Sequence, residues 1–116
     1  MTPEQLLARM AEQRAHWATL PGGQRVRVHR PPEVELPALA RGVHVEHVIQ
    51  YACGWEGFTE ATLLGASVGS ADAVPFHRDL WAAWVRDNTE AIAPVAKALA
   101  DAVTAHLQAR EATAKN

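Results

Sequence analysis

The sequence lacks most of the features that assign a protein class at once. Its 116 residues contain a single cysteine, Cys53, so no disulfide can close within the chain, and this usage fits a reducing cytoplasm. The thiol is expected to serve as a small buried apolar group. No apolar run approaches the ~18–20 residues of a membrane span, and the first residues lack the basic start and apolar stretch of an export signal. The expectation is a soluble cytoplasmic protein. Excess charge of one sign is missing too: 11 Lys and Arg against 13 Asp and Glu leave a net charge of -2, too little for an overall field that would hold nucleic acid or an anionic membrane. Neither glycine-rich phosphate cradle occurs, Gly-x-x-x-x-Gly-Lys-Ser/Thr or Gly-x-Gly-x-x-Gly, and there is no internal repeat. At this length one domain can bury roughly 60–70% of its unfolded surface.

Aromatic residues make up only 6% of the chain, but they are concentrated. Trp55, Phe58, Phe76, Trp81 and Trp84 all lie between Tyr51 and Trp84, and side chains that each bury about 150–250 Å² can supply much of a small domain's driving force. The core is expected here.

In chain order, Thr2-Pro3-Glu4-Gln5 has the form of a helix-capping box, with proline in the first helical position. Leu6, Leu7, Met10 and Trp17 share one face and predict an amphipathic helix from about Pro3 to Ala18, stopped by Pro21-Gly22-Gly23. Val26 and Val28 alternate with Arg25, Arg27 and His29, predicting a half-buried strand over residues 24–30; the three charges could form a small basic stripe for phosphate, but such groups on an edge strand more often keep that edge soluble and unpaired. Glu33–Pro37 reads as a second short strand pairing with it, and Ala38–Gly42 as a helical turn. Val43 and Val45 alternate like a strand, but Val45, Val48, Ile49 and Ala52 recur at helical spacing, and the helix over 44–53 with Gly54 as its C-cap is the expectation. Residues 65–75 form a Gly/Ser/Ala loop longer than the usual ~4–6 residues, hence mobile or functional and the expected first site of proteolysis. Leu80, Trp81, Trp84 and Val85 define a helix over 78–86, with Asp87-Asn88-Thr89 as a break. Ile92, Val95, Leu99, Val103 and Leu107 define another to about Ala109, with Pro94 either in its first turn or kinking it, and residues 111–116 form a fraying tail. The fold class is mostly α within α+β: about four helices, one short hairpin or isolated strands, and a long loop in a single domain over 1–110.

No enzyme chemistry stands out. His44 and His47 could share a helix face, but a zinc site needs three or four ligands and the others are not evident. Gly65-Ala66-Ser67-Val68-Gly69 matches the nucleophile-elbow spacing without the strand before and helix after that the motif requires. Glu56 and Glu60 read as surface carboxylates. No metal, cofactor or catalytic residue is expected.

Gly54-Trp55-Glu56-Gly57-Phe58, followed after a variable loop by Val74-Pro75-Phe76 and Leu80, resembles the pattern of tail assembly chaperones of long-tailed bacteriophages and prophages. The resemblance covers about residues 45–90; the loop is longer than usual, and His77 stands where a serine or threonine cap is expected. It implies a small helical protein, not an enzyme, that binds the tape measure protein in the bacterial cytoplasm before the tail tube protein polymerises around it. Such a partner is long, helical and apolar-striped, suited to helix-in-groove contacts repeated along a rod. The family often makes a longer product by backward slippage, and Ala114-Lys115-Asn116 is compatible with GCA-AAA-AAC codons. Candidate partner-binding residues are Trp55, Phe58, Phe76, Trp81, Trp84, Ile92, Leu99 and Val103, against the simpler reading that all are core. Two alternatives are a structural head–tail connector or tail completion protein, and a small nucleic-acid-binding regulator using Arg25, Arg27, Arg30 and Arg41.

Overall fold

A computed structural model describes residues 1–115 and shows an α+β chain in which helices flank a small antiparallel sheet. Helix α1 spans Pro3–Arg14 and starts on the expected box: Gln5 N–H donates to Thr2 Oγ1 at 3.1 Å, and the Gln5 side chain returns the bond to Thr2 N–H at 2.9 Å. It ends four residues earlier than its apolar spacing predicts. Ala15 is already extended, and Ala15–Thr19 is strand β1, paired antiparallel with β2, Arg25–His29. Leu20 N–H donates to the Gln24 carbonyl at 2.8 Å and Gly23 N–H to the Leu20 carbonyl at 2.9 Å, which closes the hairpin around Pro21–Gly23. The first partner of β2 is therefore the segment before it. Glu33–Leu39 is a 3-10 helix, in place of the expected strand.

Helix α2, Val45–Gln50, is shorter than predicted, because strand β3, Ala52–Glu56, begins almost at once and pairs with the far side of β2. Gly54 is thus no helix cap; it lies opposite Arg27 within the sheet. The register shifts between Arg27 and Val28, so Cys53 is the extra residue of a bulge. The order β1-β2-β3 makes β2 the central strand, which removes the expected explanation of its charges as protection of an edge.

Helix α3, Glu60–Leu64, was not anticipated; Thr59 caps it, accepting from Thr62 N–H at 3.1 Å. The glycine-rich loop follows and folds back on it. Helix α4, Arg78–Asp87, matches its prediction, and His77 does the work of the missing hydroxyl cap, its Nδ1 accepting from Asp79 N–H at 3.2 Å. A 3-10 turn over Thr89–Ala91 leads into α5, Ile92–Lys115, with Pro94 in the first turn. Residues 111–115, read as a fraying tail, continue this helix, and Lys115 pairs with Glu111 at 3.1 Å; Asn116, which closes the run compatible with slippage, lies outside the described residues.

The core gathers Val26 and Val28 from the sheet, Val48 from α2, Phe58 from the turn between β3 and α3, Trp81 and Val85 from α4, and Val95 and Leu99 from α5, all essentially inaccessible. Alternation explains the sheet's share, since residues two apart on a strand face the same side.

Candidate partner-binding site

The structure brings five of the candidate residues into one aromatic cluster. Trp55 stacks on Phe58 with ring centroids 4.1 Å apart and meets Phe76 edge-on at 5.3 Å. Phe58 meets Trp81 and Trp84 edge-on at 6.3 and 5.1 Å, and the two indoles lie 6.0 Å apart. Every indole N–H in the cluster is satisfied: Trp55 donates to the Val74 carbonyl at 2.7 Å, Trp81 to Val48 at 3.1 Å, and Trp84 to Thr62 at 3.2 Å. Each bond ties a different segment to the core, so the cluster joins β3, α2, α3, α4 and the loop end. Phe58, Trp81 and Leu99 are buried and offer a folded-state partner nothing to touch. Trp55, Phe76, Trp84, Ile92 and Val103 are half-buried, and Val103 stands apart from the aromatic set on α5.

Single apolar side chains are exposed at several places, among them Val34, Leu64 and Val68, but α1 presents three close together on one helix. That helix has no buried residue; Leu6 and Met10 are 45% exposed and Leu7 65%. Beside it, a groove of about 390 Å3 opens between α1 and the second half of α5. Met10, Ala102, Ala105 and Ala109 give it an apolar lining, and Arg14 and Arg30 a cationic one. The alanines are spaced to share one face of α5, and their size lets another backbone come close. A second hollow continues past Arg14 and Arg30 to Glu33, His106 and Arg110.

The charges here are unbalanced. Arg110 Nη1 donates to both oxygens of the Glu33 carboxylate, and His106 Nε2 lies 2.9 Å from the same group. The hydrogen bond from Arg110, then that from His106, holds the Glu33 carboxyl below its ordinary range. Arg14 makes no ion pair among the described residues, and the Arg30 guanidinium donates to the Pro31 carbonyl at 2.8 Å rather than to a carboxylate. Burial and the nearby Arg14 both weaken the hold of Arg30 on its proton. Two unneutralised guanidinium groups beside an apolar lining suit an amphipathic helix whose apolar stripe is flanked by acids.

Among the described residues no three His, Cys, Asp or Glu side chains gather as metal ligands. His47 is engaged locally, its Nδ1 accepting from His44 N–H at 3.0 Å. Burial raises the Cys53 thiol pKa, which keeps it from being a reactive thiolate. Gly65–Gly69 is a turn after α3, so its serine lies on no strand-to-helix elbow. Compared with known proteins, the chain matches no family model, no curated protein and no solved structure.

The sequence revealed the apolar face of α1 but not its exposure, because amphipathic spacing is the same whether the face meets the core or a partner. The alanine lining of the groove gave no signal in a helix that is rich in alanine throughout.

Proposed function

We propose that this chain is a tail assembly chaperone of a phage or prophage, a binding protein without catalytic activity that shields apolar helical stripes of the tape measure protein in the bacterial cytoplasm until the tail tube protein assembles around it. The observation that carries the reading is the uncovered apolar face of α1 beside the groove on α5. Side chains such as Leu6, Leu7 and Met10 each contribute about 1.5–3 kcal/mol when fully buried, and this chain leaves 45% of Leu6 and Met10 and 65% of Leu7 for a partner to cover. The motif behind the family resemblance also acts as a unit: Trp55 packs on Phe58 and Phe76, and Val74 N–H donates to the Phe58 carbonyl at 2.9 Å.

The reading moves the binding surface from the aromatic cluster to Leu6, Leu7 and Met10. Co-expression with a tape measure protein from the same phage or prophage should yield a soluble complex. Leu6→Glu with Leu7→Glu should abolish that complex, whereas a Leu107→Glu control should weaken it less. A tape measure protein equally soluble and uncomplexed without this chain would overturn the proposal. Mass spectrometry of finished particles should find the chain missing; its presence at stoichiometric levels would make it a connector or completion protein instead.

A further inference from the structure

The sheet face carrying the charges of β2 is basic to a degree the groove does not explain. Its cross-strand rows are Thr19-Arg25-Glu56, Trp17-Arg27-Gly54 and, beyond them, Ala15-His29, all at least partly accessible. Arg78 reaches from α4 to the Ala52 carbonyl at 3.3 Å, so Arg27 and Arg78 flank Cys53. Glu56, 2.9 Å from Arg25, is the single carboxylate in these rows. The Arg27 Nε atom is buried and has no hydrogen-bond partner among the described residues. His29 feels the crowding: burial first, then Arg27 and Arg14, push its pKa below the ordinary value. Because β2 is central, these charges protect no edge, and mutual repulsion at one place in a chain of net charge -2 calls for an anion.

We propose that this face binds a short carboxylate-rich segment of a protein partner, the guanidinium groups of Arg25 and Arg27 gripping successive acidic side chains. A peptide fits better than nucleic acid for three reasons. The Trp17 ring, the one aromatic on the face, already carries the Arg25 guanidinium 4.3 Å from its centroid, which occupies the surface a base would stack on. The Glu56 side chain shows that a carboxylate fits the site. Strands of five residues span about 17 Å, the reach of five or so extended peptide residues. The inference is independent of the function proposed above, since it concerns a different face and needs no tape measure protein.

Fluorescence anisotropy with a labelled octaglutamate peptide and an oligothymidylate of equal length, on the full chain at low and physiological salt, tests it. The peptide should bind and the oligonucleotide should bind more weakly. Arg27→Gln should weaken the peptide by about tenfold, as expected on losing a charge-assisted hydrogen bond, Glu56→Gln should tighten it by removing a competitor, and Arg86→Gln on α4 should change nothing. No peptide binding at low salt, equal losses in Arg27→Gln and Arg86→Gln, or tighter binding of the oligothymidylate would each overturn it. If Arg27→Gln fails to fold, peptide titration of the native chain followed by NMR decides: shifts must appear at the Trp17 indole and the β2 amides, and shifts confined elsewhere count against the proposal.

Discussion

Phe58 touches three other rings of the cluster and is fully buried, so the fold should feel its loss strongly. Phe58→Ala removes the stack with Trp55 and both edge contacts with Trp81 and Trp84; it should cost about 3–5 kcal/mol in urea unfolding, a large share of the ~5–15 kcal/mol that holds a domain together. Trp55→Phe keeps the stack but loses the bond to the Val74 carbonyl and should cost about 1 kcal/mol; a loss of partner binding with unchanged stability would instead make Trp55 a contact residue. His29 gives the residue scale its pH dependence. Its pKa is lowered from the ordinary 6.5, chiefly by burial and then by Arg27 and Arg14, so below that value the unfolded chain binds a proton that the folded chain resists. Stability should therefore fall as pH drops from about 7 into the range between the ordinary and the lowered value, and His29→Gln should flatten the fall in melts collected across that range.

Among the elements, the loop after α3 is bonded back onto the helix it follows. Its carbonyls serve the open end of the helix: Glu60 N–H donates to Asp72 at 3.0 Å and Ala61 N–H to Ser70 at 2.8 Å, amides that a short helix otherwise leaves without partners. Gly69 makes this possible, since a Cβ there would lie 2.4 Å from the Glu60 carbonyl carbon. Gly69→Ala should push the loop off α3 at a cost of about 1–3 kcal/mol, and limited proteolysis should then cut within residues 65–73 faster than in the native chain; equal rates would mean the loop was already free. Sequence spacing located β2, α4 and the capped start of α1, where one period runs unbroken and local chemistry marks the ends. It failed at Ala15–Thr19 and Ala52–Glu56. Ala15–Ala18 and Ala52–Cys53 fall within a helical spacing, yet both segments form strands because each pairs with β2, and pairing between distant segments leaves no local trace. The candidate site was legible to a similar depth: the apolar residues of α1 were visible, whereas their neighbourhood to Ala102, Ala105 and Arg30 depends on the fold.

The molecule measures 57 × 37 × 20 Å with a radius of gyration of 15.9 Å, against about 13 Å for a compact chain of this length. The excess fits two projecting elements, α1 and the part of α5 beyond its last buried residue, Ala102. Stability and binding should therefore separate. Leu6→Glu with Leu7→Glu should shift unfolding free energy by less than about 0.5 kcal/mol, as surface changes do, and a larger loss in chemical denaturation would mean that α1 belongs to the core after all. The distribution of indoles divides the molecule in another way. Trp55, Trp81 and Trp84 share one cluster, whereas Trp17 lies apart beneath the Arg25 guanidinium. The chain thus carries two separate sets of chromophores: three report whether the interior is intact, and the fourth responds when something displaces Arg25. With Trp17→Phe as the blank, the difference in emission would isolate events on the basic face without any added label.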